Sequence, residues 1–236
     1  AKVKKGKYKD FKMTVEERYE LYIAAWLHDC GKVATPPHVV DKSTKLETIF
    51  DRIELIKTRS QILKKDAQIE LLNRKLNEGN DDQFELEYKT KIDAIDNDIQ
   101  FLIDCNIGGE YMKPEFQKRV ELIGSQKINI DGVERNFLTS EEIRNLNIQK
   151  GTLLPEEREI INDHIVITIE MLEQLPYPKN LKNVPEFAGG HHEKMDGTGY
   201  PKGLNESQMS TQAKIMAIAD IYEALTAADR PYKDGK

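Results

Sequence analysis

Hydrophobic residues recur along most of the chain at the three- and four-residue spacing of amphipathic helices. Over residues 14–30 this spacing follows Thr14, a suitable helix N-cap, and Glu17 completes a capping box with it. Pro155 stands where the first turn of a helix tolerates proline. Further helices are predicted over about 139–145, 155–175 and 211–228. The pattern indicates an all-α protein.

The middle of the chain predicts two long, highly charged helices, over about 45–76 and 83–105. The polar turn between them is short, which favours an antiparallel helical hairpin. At 1.5 Å per residue each arm is on the order of 35–45 Å long, more than a compact core needs, so the hairpin is expected to project. An Asp-Gly turn between short alternating runs within 127–133 predicts a small β-hairpin.

Composition narrows the classes of function. Of 236 residues, 39% are hydrophobic and 32% charged, and the formal net charge is −6. No basic patch dominates, which argues against a protein that binds duplex nucleic acid. The chain contains no apolar run of about 18 residues, so the sequence predicts no membrane span. The two cysteines form no CxxC motif, which favours a reducing, cytoplasmic setting.

The densest set of reactive side chains lies in the segment GGHHEKMDGTGYP, residues 189–201. It contains His191 and His192, in a chain with five histidines. Gly189 and Gly190 precede them and allow the backbone to approach another element closely. The GTGYP part is expected to shape the loop rather than take part in chemistry.

A second set of similar residue types lies far upstream. His28 and Asp29 end an apolar helix, and adjacent helical residues point in different directions, so the pair can serve two neighbouring metal ions. An imidazole gives one nitrogen to one metal, whereas a carboxylate can bridge two. His164 and Asp220 lie on apolar helices, where an unpaired carboxylate is costly. Singly, these residues are explained by ion pairs or core packing; together they indicate one metal site.

These motifs resemble the HD-GYP branch of the HD-domain metal-dependent phosphohydrolases. The resemblance consists of the His-Asp pair, the later His164, HHEKMDGTGYP, and the segment AKIMAIADIYEALTAADRPYK. It covers about 14–42 and 150–236. It implies an HD-domain helical bundle formed by 1–42 and 150–236. Residues 43–149 are then an insertion that carries the helical hairpin and the small β-hairpin.

The resemblance also implies a site with two or three divalent metals, iron or manganese first, with zinc not excluded. Its implied ligands are His28, Asp29, His164, His191, His192 and Asp220. Asp29 would bridge the metals and act in catalysis together with Lys32. Lys32, Arg230 and Lys233 would bind the substrate.

The implied activity is hydrolysis of cyclic di-GMP to linear pGpG, GMP or both, by a hydroxide that bridges the metals. Alternatives are a catalytically weak cyclic di-GMP receptor, or a hydrolase of another cyclic dinucleotide or nucleotide phosphate. The hairpin, whose apolar stripe needs covering, is expected to contact a sensor domain or a second subunit.

The chain departs from the family pattern in two places. The family has a further histidine on an earlier helix, and none precedes His28. Either that helix was cut away or a carboxylate such as Glu16, Glu17 or Glu20 substitutes. The segment 226–230 is one residue longer than the family pattern, which would displace Arg230.

Overall fold

The computed structural model describes residues 5–227, which fold mainly into helices. The α-helices are α1 Val15–Leu27, α2 Pro37–Val40, α3 Ile53–Glu78, α4 Asp82–Ile107, α5 Pro114–Gly124, α6 Ser140–Leu146, α7 Pro155–Asn162, α8 His164–Glu173, α9 Val184–Gly189 and α10 Thr211–Thr226. Short 3₁₀ helices cover Cys30–Ala34 and Lys179–Leu181. The strands are β1 Lys127–Ile130 and β2 Val133–Asn136. The predicted all-α class with a small β-hairpin is confirmed.

The described residues divide into two compact units. Unit 1 consists of residues 5–36 and 158–227, and unit 2 of residues 37–157. The domain limits predicted from the sequence fall near these divisions and stay a prediction. Among the described residues no helix is long and apolar enough to cross a membrane.

Unit 2 is built on the hairpin of α3 and α4, each 26 residues long. Ion pairs such as Lys64–Asp96 and Lys91–Glu70 join the arms in antiparallel register. The arms bury their apolar faces, including Ile56, Ala67, Leu71, Phe84, Ile95 and Leu102. The stripe predicted from the sequence is therefore covered largely within the hairpin.

The base of the hairpin contributes to the core of unit 2. Ile53, Ile56 and Leu102 belong to one buried cluster with residues of α5, β1 and α6. β1 pairs antiparallel with β2, and Asp131 and Gly132 take positive φ angles of 53° and 76° at the turn. The Asp-Gly turn is thus confirmed.

Two predicted helix limits are wrong. Residues 45–52 do not extend α3, because polar side chains in this segment bond the backbone instead. Glu47 accepts from the Ser43 amide at 2.7 Å, and Asp51 accepts from the Ile53 amide at 2.9 Å. The single helix predicted over 155–175 is two helices that meet at Asp163. The sequence pattern also did not predict α5 and α9.

Unit 1 packs α1, α8 and α9 around a buried cluster that includes Ala24, Leu172 and Phe187. Glu20 of α1 is 4% exposed. Its carboxylate accepts from the backbone amide of Asn183 at 2.6 Å and from the side-chain amide of that residue at 3.2 Å, immediately before α9. Glu20 therefore joins α1 to the start of α9, which argues against it as a substitute metal ligand.

Candidate metal centre

A glycine brings the His28–Asp29 pair against α8. The Gly31 amide donates to Thr168 Oγ1 at 2.9 Å. A Cβ atom added to Gly31 would lie 2.0 Å from the His164 carbonyl oxygen and 2.6 Å from the Thr168 nitrogen. Only glycine allows this approach, which places Asp29 beside the helix that begins with His164.

The glycine pair at the end of α9 likewise lets the segment before His191 and His192 approach neighbouring helices closely. A Cβ on Gly189 would lie 2.6 Å from Cγ1 of Ile169, and one on Gly190 would lie 2.9 Å from Cβ of Ala213. These contacts hold α9 against α8 and α10. The close approach predicted for the glycines is confirmed, and His191 and His192 follow it directly.

The structure brings all six predicted ligands into one cluster. Asp29 Oδ1 lies 3.2 Å from Nε2 of His164 and 3.9 Å from Nε2 of His191. Asp29 Oδ2 lies 3.3 Å from Nε2 of His28. The other two predicted ligands lie next to these histidines. Asp220 Oδ1 is 3.8 Å from His28 Nε2, and His192 Nε2 is 3.3 Å from His164 Nε2.

The cluster contains two overlapping groups whose ligand atoms lie within 4.8 Å of one another. One group is His164, His191 and His192, and the other is His28, Asp29 and His191. Asp29 turns one carboxylate oxygen toward the nitrogen of His164 and the other toward that of His28. This is the arrangement that a carboxylate needs to bridge two cations.

Three of the histidines are oriented by the backbone. Nδ1 of His28 lies 2.7 Å from the Ala25 carbonyl oxygen, and Nδ1 of His191 lies 2.6 Å from that of Ala188. His164 makes the same contact with Ile161. In a neutral ring, an Nδ1–H that donates to the carbonyl leaves the Nε2 lone pair directed into the cluster, as a metal ligand requires.

Burial and neighbouring charges shift the pKa values of the clustered histidines in opposite directions. Asp220 and Asp29 raise the pKa of His28 to about 10. Burial lowers the pKa of His191, and burial with the neighbouring His191 and His164 lowers that of His192 to about 4. The proton on His28 balances two carboxylates, and a divalent cation would displace it.

The two carboxylates are held ionised in the cluster. Burial opposes ionisation of Asp29, but the neighbouring His164, His28 and Lys32 side chains overcome it and hold the pKa of Asp29 well below its usual range. A hydrogen bond from His28 likewise lowers the pKa of Asp220. Ionised carboxylates are the form that binds metal.

Two buried atoms in the cluster have no hydrogen-bond partner among the described residues. They are Oδ1 of Asp29 and Nε2 of His191. Buried acceptors are costly unless satisfied. Because both are metal-ligand atoms and lie 3.9 Å apart, a divalent cation would satisfy both. The residues present therefore fit a metal.

The predicted substrate-binding residues fall in different parts of the chain. Lys32 donates from Nζ to Asp29 Oδ2 at 2.6 Å, with 45% of its side chain exposed. It is therefore accessible at the edge of the cluster. Arg230 and Lys233 lie outside the described residues.

Two residues near the cluster were not singled out from the sequence. Glu193 is 4% exposed, and its carboxylate accepts from the backbone amides of Lys202 and Leu204 at 2.7 and 2.8 Å. Thr168 receives the Gly31 amide. The signal available in the sequence for Glu193 was an acidic residue directly after two candidate ligands.

Residues 139–236 match the family model described as HD domain. The segment 139–236 is therefore similar to HD domains. The HD-GYP resemblance is confirmed by this match together with curated relatives.

Curated relatives match part of this chain over part of their own length. A 3'3'-cGAMP-specific phosphodiesterase 3 of Vibrio cholerae serotype O1 is 40% identical over 83 residues, 35% of this chain and 17% of its own. A cyclic di-GMP phosphodiesterase of Thermotoga maritima is 39% identical over 89 residues, 38% of this chain and 24% of its own. One of Pseudomonas aeruginosa is 56% identical over 45 residues, 19% and 11% of the respective chains. The chain thus spans about a quarter or less of these relatives.

Proposed function

We propose that the chain is a metal-dependent phosphodiesterase that hydrolyses a cyclic dinucleotide. The observation that carries the proposal is the His/Asp cluster with unsatisfied ligand atoms at Asp29 and His191. The HD-domain match and the names of the relatives support the reaction class. We propose His28, Asp29, His164, His191, His192 and Asp220 as the ligands of two or three divalent metals, iron or manganese.

The metals and the protein side chains would have different roles in the hydrolysis. Bound divalent metals would lower the pKa of a coordinated water and neutralise charge on the phosphate. Asp29 would hold two metal positions with its two oxygens. The Lys32 ammonium would approach a phosphate or leaving oxygen, since it is half-exposed and already at the cluster. Arg230 and Lys233 are proposed to bind the nucleotide.

Cyclic di-GMP is the first candidate substrate and 3'3'-cGAMP the second. The names of relatives at 39% and 40% identity divide between the two. Incubation of the Mn²⁺-loaded protein with each substrate, followed by chromatography of products, distinguishes them. We expect linear pGpG, GMP or both from cyclic di-GMP. Binding of cyclic di-GMP without product would instead favour a receptor.

Asp29→Asn tests the metal role, because asparagine keeps the shape and removes the charge. We expect loss of bound metal and at least about 100-fold slower hydrolysis. Residues that only orient metal ligands cost up to about 100-fold when changed, and a ligand should cost no less. The exposed Asp10→Asn serves as control. Full activity of Asp29→Asn with unchanged metal content would contradict the proposed function.

We also propose that the hairpin contacts a sensor domain or a second copy of the chain. Ile69, Leu72 and Leu76 on α3 are about half-exposed or more. Light scattering of the Leu72→Glu, Leu76→Glu double variant tests self-association through this surface. A mass equal to that of the wild type at every concentration counts against the second copy.

We propose a cytoplasmic setting for the chain. Both cysteines are free, which fits this setting.

A further inference from the structure

His192 is oriented differently from the other histidines of the cluster. Nδ1 of His28, His164 and His191 each contacts a backbone carbonyl three residues earlier. Within residues 5–227, the hydrogen-bond contact of the His192 ring is the one from Nε2 to His164 at 3.3 Å. An imidazole on its terminal torsion has a broad rotational preference, so something else must set the direction of this ring.

The ring of Tyr200 lies against that of His192. The ring centroids are 4.8 Å apart and the planes differ by 18°, a stacked arrangement. The Tyr200 amide also donates to the His192 carbonyl oxygen at 3.3 Å, so the backbones are joined beside the stack. A flat neighbour at this distance blocks rotation of the imidazole out of its plane.

The loop that carries Tyr200 is itself held in place. The buried Glu193 carboxylate accepts from the amides of Lys202 and Leu204, on the far side of Tyr200 in the sequence. A Cβ added to Gly199 would lie 2.3 Å from the Lys194 nitrogen, so the loop returns directly onto the segment after His192. The position of the Tyr200 ring is therefore determined by the loop closure.

We propose that Tyr200 is a positioning residue for His192, and that Glu193 acts through it. The stacked ring does for His192 what backbone carbonyls do for the other three histidines: it keeps Nε2 directed into the cluster before a metal arrives. Such preorganisation of a ligand is expected to raise metal affinity. The metal part of this inference rests on the proposed function, whereas the ring orientation is a property of the metal-free protein.

The first test observes the metal-free protein by NMR. Long-range ¹H–¹⁵N spectra of histidine-labelled protein report the tautomer and mobility of each ring, and loss of a signal in His192→Gln assigns His192. We expect wild type and Tyr200→Phe to show one narrow His192 signal. Tyr200→Leu and Tyr200→Met, which lack a flat ring, should broaden or average that signal alone.

The second test measures Mn²⁺ affinity by calorimetry in the same variants. We expect Tyr200→Leu and Tyr200→Met to bind about 10–100-fold more weakly, the range found for groups that orient metal ligands. Tyr200→Phe should retain wild-type affinity, and so should Tyr19→Leu, which removes an exposed ring elsewhere in unit 1. Circular dichroism confirms that each variant is folded.

Two results would overturn the role of Tyr200. One is a His192 signal and Mn²⁺ affinity in the Leu and Met variants equal to those of wild type. The other is an equal loss in Tyr200→Phe, which would assign the effect to the hydroxyl. If the wild type binds no divalent ion, the proposed function fails, while the His192 signal still decides whether Tyr200 orients the ring.

Discussion

Single glycines determine how closely the ligand-bearing segments of unit 1 approach one another. At Gly31 the nearest atoms are backbone atoms of α8, which cannot move aside as a flexible side chain can. Asp29 and His164 are neighbours because this contact is close. The position thus links one missing Cβ atom to the distance between two candidate metal ligands.

We expect Gly31→Ala to destabilise the protein by about 1–3 kcal/mol, the usual cost of forcing atoms into a packed core, and to weaken metal binding. Gly109→Ala is the matched control, since a Cβ there meets nothing within 4 Å. Urea unfolding and Mn²⁺ titration of both variants give the comparison. Equal stability of the two variants would show that α8 can retreat without cost.

Residue types and motif resemblance were sufficient to select, from the sequence, six candidate ligands that the fold brings together. They were not sufficient for Thr168 and Glu193. These two act by accepting backbone amides that only the folded chain brings to them, from Gly31 and from Lys202 and Leu204. Spacing along the sequence contains no record of such contacts.

At the scale of elements, the helix start predicted at Thr14 is correct, because its signal is local: a side chain that caps its own helix. The capping boxes of Thr14 with Glu17 and of Thr139 with Glu142 are both present. Prediction failed where tertiary contacts compete with helix formation. In 45–52, Asp51 accepts from the side-chain amide of Asn106 on α4, at 2.8 Å, a partner 55 residues away. Such a contact prevents the helix from extending through this segment, although the hydrophobic spacing of the sequence there still looks helical.

The hairpin offers a test of which of its turns the fold needs. Residues 67–93 bury Ala67, Leu71 and Phe84 between the arms, whereas the unit 2 core uses Ile56 and Leu102 nearer the base. We expect replacement of 67–93 by a short glycine-containing turn to leave a folded protein with unchanged Mn²⁺ affinity. Circular dichroism, calorimetry and light scattering check the fold, metal and mass.

Deletion of 45–105 is the contrasting variant, because it also removes the core residues at the base of the hairpin. Each large buried side chain lost costs about 2–5 kcal/mol, so this variant should unfold or aggregate. A folded 45–105 deletion, or an unfolded 67–93 replacement, would contradict this assignment of the core of unit 2.

At the scale of the molecule, residues 5–227 contain two hydrophobic clusters, one in each unit, and one cluster of candidate metal ligands. The larger apolar cluster lies in unit 2 and the smaller in unit 1. The candidate ligands all belong to unit 1. A bound cation is therefore expected to stabilise unit 1, because a ligand that binds only the folded state stabilises it.

Scanning calorimetry with and without Mn²⁺ tests this division. We expect two transitions, and at free Mn²⁺ 100 times the dissociation constant the unit 1 transition should gain about 2.7 kcal/mol per site while the other stays in place. Asp29→Asn should abolish the shift and leave both transitions visible in the metal-free scan. A single transition that moves as a whole would contradict the expectation, because it would mean that the two units unfold together and share the stabilisation by metal.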